Sequence, residues 1–85
     1  MFTLDEFRDA VIQGIKKLTR EEEVTIGDDE DFGDYGLDSL TGISLVLEVE
    51  AALGEDLGEF DIDEASTIEL FYAKAKAIVE EFEER

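Results

Sequence analysis

Phe32-Gly33-Asp34-Tyr35-Gly36-Leu37-Asp38-Ser39-Leu40 is the stretch on which the chain turns. An acidic, glycine-punctuated segment ends at Gly36. Asp38, a residue type that caps helices well, is followed at once by Ser39 and then by an apolar run of helical character. This order puts the Ser39 hydroxyl in the first, exposed turn of a helix, where another protein could reach it. That helix is expected from Asp38 or Ser39 to about Leu53, with Gly54 as its stop. Leu40, Ile43, Val46 or Leu47, Glu50 and Leu53 share one side of it. Leu45 and Val49 fall off that stripe, which implies either deep burial or an exposed contact surface beside Ser39.

Upstream, the spacing predicts a helix over about 3–18. Thr3 and Glu6 have capping-box spacing, and Phe2 and Phe7 stand where a hydrophobic staple would. Leu4, Phe7, Val11, Ile15 and Leu18 recur at intervals of three and four and form one apolar stripe. Gly14 is costly in mid-helix and signals a close helix contact. Residues 19–37 read as a long loop anchored by Val24, Ile26, Phe32, Tyr35 and Leu37; loops of this length in compact domains are commonly functional. Its run Asp28-Asp29-Glu30-Asp31 invites a calcium reading, but Phe32 and Gly33 break the EF-hand ligand order.

Downstream, residues 55–65 form a second acidic connection anchored by Leu57, Phe60 and Ile62, with room for one short helical turn over 61–65. Ser66 or Thr67 opens the last helix, and Ser66 with Glu69 has capping-box spacing. Ile68, Phe71, Ala75, Ile78 or Val79, and Phe82 form its stripe, to about Glu83. No strand-like alternation, hairpin signal or internal repeat occurs. The expected fold is all-α: a small four-helix bundle of three main helices and one short one, in a single domain over residues 1–85.

Composition narrows the chemistry. With 85 residues, the chain buries only about 60–65% of its unfolded surface. Its 44% apolar content is nonetheless enough for a core, despite a net charge of −18. There is no His and no Cys, which removes the usual general base, the usual nucleophiles and most transition-metal ligands. The chain suits being a substrate or partner of enzymes better than being one. No apolar run is long enough to span a bilayer and no signal peptide opens the chain, so a cytoplasmic, monomeric protein is expected. From Glu21 through Ala73 there is no Lys or Arg, and 18 of the 25 acidic residues lie there. This one-signed field repels nucleic acid and anionic membranes and attracts basic partners.

The order of helix, long loop, Asp38-Ser39-Leu40 at a helix head, short helix and final helix resembles that of the acyl carrier protein family over essentially the whole chain. What the resemblance implies is specific. Ser39 matches the serine that receives a 4'-phosphopantetheine arm from coenzyme A through a magnesium-dependent phosphopantetheinyl transferase. Asp38, Leu40, Glu48 and Glu50 would contact partners. Ile43 and Leu47, with Ile62, Ile68 and Phe71, would border a pocket for the carried acyl chain; ordinary core is the plainer reading of those positions. Partners would be the transferase and an acyltransferase, ketosynthase or other synthase enzyme with a basic docking patch. Two departures from fatty-acid carriers stand out: Ser44 where an acidic residue is typical, and no proline before the third helix. The wording Asp34-Tyr35-Gly36-Leu37-Asp38-Ser39-Leu40 looks more like carriers of polyketide assembly. The competing reading is an acidic interaction module that binds a basic partner and is never modified; a divalent-ion buffer is a third.

Overall fold

The structure, a computed structural model, describes residues 2–37, 39–57 and 65–83. These residues form three helices and one short 3-10 turn: α1 Leu4–Thr19, the turn Phe32–Tyr35, α2 Ser39–Leu53 and α3 Ile68–Glu83. Among the described residues there is no strand. The short helical turn expected over 61–65, and with it the fourth helix of the bundle, falls almost wholly outside them.

α1 starts where its caps dictate. The Thr3 hydroxyl accepts from the Glu6 N–H at 3.2 Å, and the Glu6 carboxylate accepts from the Thr3 N–H at 3.0 Å. The reciprocal pair satisfies two N–H groups that the first turn leaves without helical partners. Phe2 and Phe7 close the staple, with ring centroids 5.5 Å apart. Phe7, Ala10, Val11, Gly14 and Ile15 are the buried face.

Gly14 explains how closely α1 and α2 approach. A Cβ built there would lie 2.8 Å from Leu45 Cδ1 and 3.4 Å from Glu48 Cβ. Leu45 is fully buried, so its side chain has no free space to retreat into. Gly14→Val is therefore expected to lower stability by about 1–3 kcal/mol through overpacking. Urea denaturation checks this; an unchanged midpoint would show that α2 can shift away freely.

The long connection between α1 and α2 is pinned, not loose. Ile26, Phe32 and Leu37 are buried in the core, and Val24 and Tyr35 pack against it. Backbone bonds stitch it to the start of α3: the Phe32 N–H donates to the Ser66 carbonyl at 2.7 Å, and the Glu69 N–H donates to the Asp28 carbonyl at 3.0 Å. The 3-10 turn inside it is not evident from periodicity. It rests on Asp31, whose carboxylate accepts from the Gly33 N–H at 2.7 Å, a local side-chain bond that no apolar pattern reports. Gly36 ends the turn at φ 80°, in the left-handed region that glycine enters without a Cβ penalty.

α2 corrects the sequence reading. Its buried face is Gly42, Leu45, Val46 and Val49, with Leu53 packed alongside. Of the expected stripe, Leu40 and Ile43 point outward, as does Leu47, while Val46, the alternative to Leu47, is buried. The helix is apolar nearly all round, so periodicity alone could not choose its inner side. The close approach at Gly14 makes the choice, since it brings Leu45 against α1. At the far end Gly54, at φ 67°, donates to the Glu50 carbonyl at 2.9 Å, and the Glu55 N–H reaches the same carbonyl at 3.3 Å. That is a glycine helix stop, as the sequence implied.

α3 is capped by Thr67, whose hydroxyl accepts from the Leu70 N–H at 3.1 Å. Of the two expected caps, Ser66 and Thr67, the helix uses Thr67; the Ser66 carbonyl accepts from the Phe32 N–H. Ile68, Phe71, Ala75 and Val79 are buried, as the three-four spacing predicted. Phe71 joins the layers. Its ring meets Phe7 of α1 edge-on at 4.8 Å and Phe32 of the long connection edge-on at 6.2 Å.

Candidate functional site

Ser39 is the first residue of α2. Two features of the local sequence put it there. Leu37, two residues earlier, is buried and anchors the incoming chain, and its N–H donates to the Phe32 carbonyl at 3.3 Å. Gly36 supplies the left-handed turn that redirects the backbone just before the helix. Asp38, expected as cap and partner contact, lies outside the described residues.

The helix N-terminus gives the site its electrostatics. No acidic residue occupies the first turn of α2. The positive end of the helix dipole is therefore not neutralised by an acidic side chain from within that turn. A phosphate ester on a residue at this position would be favoured by it. That end of the helix thus suits a hydroxyl that is to carry a phosphodiester.

The other predicted site residues divide into three groups. Leu40, Ile43 and Leu47 are exposed, at 79%, 56% and 60%. Ile68 and Phe71 are fully buried core. Ile62 lies outside the described residues. Of the four described positions expected to border an acyl pocket, Ile43 and Leu47 face outward while Ile68 and Phe71 face inward. Glu48 and Glu50, expected to face partner enzymes, are both engaged within the chain. Glu48 lies 3.3 Å from Lys17 Nζ, and the Glu50 carboxylate accepts from the Leu57 N–H at 3.3 Å.

Two polar clusters in the long connection have no signature in the sequence pattern. Arg8 of α1 clamps Asp28 with two bonds, Nε to Oδ1 and Nη2 to Oδ2, each 2.7 Å, and also binds Asp5 at 2.6 Å. The fork geometry of a guanidinium matches a carboxylate in this way. The hydrogen bonds from Arg8 hold the Asp28 carboxyl below its ordinary value, and the guanidinium rises in turn. Nearby, Glu30 accepts from the Gly27 N–H at 2.6 Å and from the Tyr35 hydroxyl at 2.9 Å. These bonds lower the Glu30 carboxyl, the Gly27 bond most, and the Glu30 bond raises the Tyr35 phenol. The one available signal is that Arg8 is the only cationic side chain before Lys16.

The Arg8–Asp28 clamp has a definite pH signature. A carboxylate with a lowered folded pKa contributes stability above its unfolded pKa and loses it as the pH falls through the folded value. Asp28 therefore stabilises fully above about pH 4 and progressively less below its ordinary 3.8. Acid also relieves repulsion within this −18 chain, so the difference between two proteins is the quantity to read. Asp28→Asn is expected to be less stable than the parent at pH 7, with the gap closing as the pH falls below that window. Thermal melts of both proteins at several pH values check this; a gap that is constant with pH would show that the clamp contributes nothing.

No described helix is long and apolar enough to cross a membrane. Among the described residues no group of three or more carboxylates is arranged to hold a metal ion. No curated protein and no solved structure gives a significant match to the chain. The family model for the phosphopantetheine attachment site does match, over residues 9–73. That span runs from α1 through the long connection and α2 into the first third of α3. Carrier domains of this kind hold 4'-phosphopantetheine covalently, work with phosphopantetheinyl transferases and synthase enzymes, and are in general not themselves catalysts. With a serine heading α2 inside the matched span, the chain belongs to the phosphopantetheine attachment site family.

Proposed function

We propose that Ser39 is the attachment residue, and that the chain, as one carrier domain over residues 1–85, carries acyl or polyketide intermediates between synthase enzymes in the cytoplasm. The observation that supports this most is the position of Ser39. It opens α2 within the family match, between the buried anchor Leu37 and the exposed Leu40.

The chemistry divides between carrier and transferase. Ser39 supplies the oxygen that attacks the phosphorus bearing the pantetheine arm of coenzyme A; the new P–O bond makes the phosphodiester, the P–O bond of the pyrophosphate bridge breaks, and adenosine 3',5'-bisphosphate leaves. An isolated serine hydroxyl is a weak nucleophile and needs a base to take its proton. The chain holds no His, so that base belongs to the transferase. The N–H groups at the start of α2 then lie beside the negative phosphodiester and stabilise it. The arm supplies a terminal thiol on which acyl groups are held as thioesters. The rest of the chain positions that attachment point: Leu37 and Gly36 fix where α2 begins, and the bonds from the long connection to α3 fix the connection.

A polyketide-type assembly is the pathway class that the residues favour. Ser44 replaces the acidic residue typical of fatty-acid carriers, and the stretch Asp34 to Leu40 has polyketide-carrier wording. The acidic middle of the chain suits synthase enzymes with basic surfaces.

The test is intact mass after incubation with coenzyme A, magnesium and a promiscuous phosphopantetheinyl transferase, followed by peptide mapping. One added phosphopantetheine, mapped to the peptide containing Ser39, is expected. No addition to protein shown to be folded would overturn the carrier reading in favour of an unmodified interaction module.

A further inference from the structure

Residues 33–37 are the last described part of the long connection before α2. Among the described residues, one side chain ties them by hydrogen bonds to the chain before Asp31. The Tyr35 hydroxyl lies 2.8 Å from the Thr25 carbonyl and 2.9 Å from Glu30 Oε2. The other bonds of this stretch, from the N–H groups of Gly33, Asp34, Gly36 and Leu37, end on Asp31, Phe32 or Gly33. The Tyr35 ring is half-buried against the core, so apolar packing seats the ring and the hydroxyl adds something else.

The groups that hold this hydroxyl are themselves fixed. Glu30 Oε1 accepts from the Gly27 N–H at 2.6 Å, and the Glu30 N–H donates to the Gly27 carbonyl at 3.1 Å, so residues 27–30 form a closed turn. Within that turn, the Asp28 carboxylate is clamped by Arg8 of α1, and the Asp28 carbonyl accepts from the Glu69 N–H of α3. A line of contacts thus runs from α1 and α3 through the turn to Tyr35. From Tyr35 the backbone passes through Gly36 and the buried Leu37 to the serine at the head of α2. The bond to Glu30 raises the phenol above its ordinary value, so the hydroxyl keeps its proton, and remains a donor, near neutral pH.

We propose that Tyr35 is a positioning residue for phosphopantetheine transfer to Ser39: its hydroxyl fastens the end of the long connection to the frame of α1 and α3, and so fixes where α2 and its first serine begin. The inference rests on the proposed role of Ser39. Attack on phosphorus needs the serine oxygen within a narrow range of positions, and a displacement of about 1 Å can cost about a hundredfold in rate. Loss of one tie leaves Leu37 anchored, so the loss is smaller than that. The transferase still meets the same carrier surface; what falls is the fraction of bound carrier whose oxygen is in place.

The experiment is steady-state kinetics of transfer from coenzyme A to the full chain at about 25 °C, with Tyr35→Phe, Glu30→Ala, the double variant and Asp29→Ala, each verified as folded by circular dichroism. Tyr35→Phe changes no charge and keeps the ring. It is expected to lower kcat by about threefold to tenfold, in line with the loss of one hydrogen bond, and to leave KM within about twofold. Glu30→Ala should lower kcat likewise, and the double variant no further than the larger single loss, because the two side chains form one tie. Asp29→Ala removes an exposed neighbouring charge and should leave both constants near the parent values. A hydroxyl that served stability alone would shift the melt and leave kcat unchanged, since every variant is folded at the assay temperature. Hydrogen exchange on the unmodified chain adds a readout that needs no transfer: the Gly36 and Leu37 amides should exchange about threefold faster or more in Tyr35→Phe, with Val11 of α1 unchanged. An unchanged kcat, a rise in KM alone, additive losses in the double variant, or unchanged exchange at Gly36 and Leu37 overturns the proposal. If the parent chain accepts no phosphopantetheine, the role given to Ser39 fails and the proposal with it, and the exchange data keep that failure apart from a failure of the tie.

Discussion

Ser39→Ala is expected to abolish phosphopantetheine incorporation completely while leaving the fold intact. The reaction requires one oxygen nucleophile, and alanine has none. The cost to the fold should be small, because alanine is the best helix former and Ser39 is the first residue of α2. The change is expected to stay within about 0.5 kcal/mol. The mutant should therefore melt close to the parent and gain no mass with coenzyme A, magnesium and transferase. Ser44→Ala and Ser66→Ala provide the contrast. Ser44 lies on α2, five residues beyond Ser39, and the Ser66 carbonyl is bound to the Phe32 N–H. Both variants should be modified like the parent. Residual labelling of Ser39→Ala would mean that the transferase takes another hydroxyl, and the site would have to be reassigned.

Phe71→Ala should have the largest effect on stability. Phe71 is fully buried and makes edge-on contacts with Phe7 and Phe32. It thus touches α1 and the long connection from α3, and its removal opens a cavity where three elements meet. Truncation of a buried Phe side chain costs about 3–5 kcal/mol. A chain of this length has a total stability of about 4–13 kcal/mol. The variant should consequently lie near the edge of folding at 37 °C, and a urea titration should show its midpoint displaced by a large fraction of the parent value. A destabilisation below about 1 kcal/mol would mean that the core around Phe7 and Phe32 collapses into the space, which the edge-on packing argues against.

Much of the architecture is legible in the order of residues, because it depends on neighbours close in the chain. The α1 start follows from Thr3, Glu6, Phe2 and Phe7, all within five residues of one another, and the observed bonds match that reading. The α2 start and the Gly54 stop are equally local. The core faces of α1 and α3 have one apolar stripe each, so their inner sides are readable from spacing. The position of Ser39 at a helix head belongs to the same class of local signal.

What residue order leaves open depends on groups far apart in the chain. α2 has apolar residues on two sides, so both rotations satisfy the local pattern. Packing against α1 at Gly14 selects the one that buries Leu45 and leaves Leu40, Ile43 and Leu47 outward. The Arg8–Asp28 clamp joins residues 20 apart, and nothing in either neighbourhood announces it. The α3 cap sits at Thr67 and not Ser66 because the long connection claims the Ser66 carbonyl. Caps, breakers and composition act over a few residues, so the three helices, the chemistry open to the chain and the serine at a helix head could all be read without a fold. Which side of α2 faces outward beside that serine could not, because only contact with α1 separates two faces that are almost equally apolar.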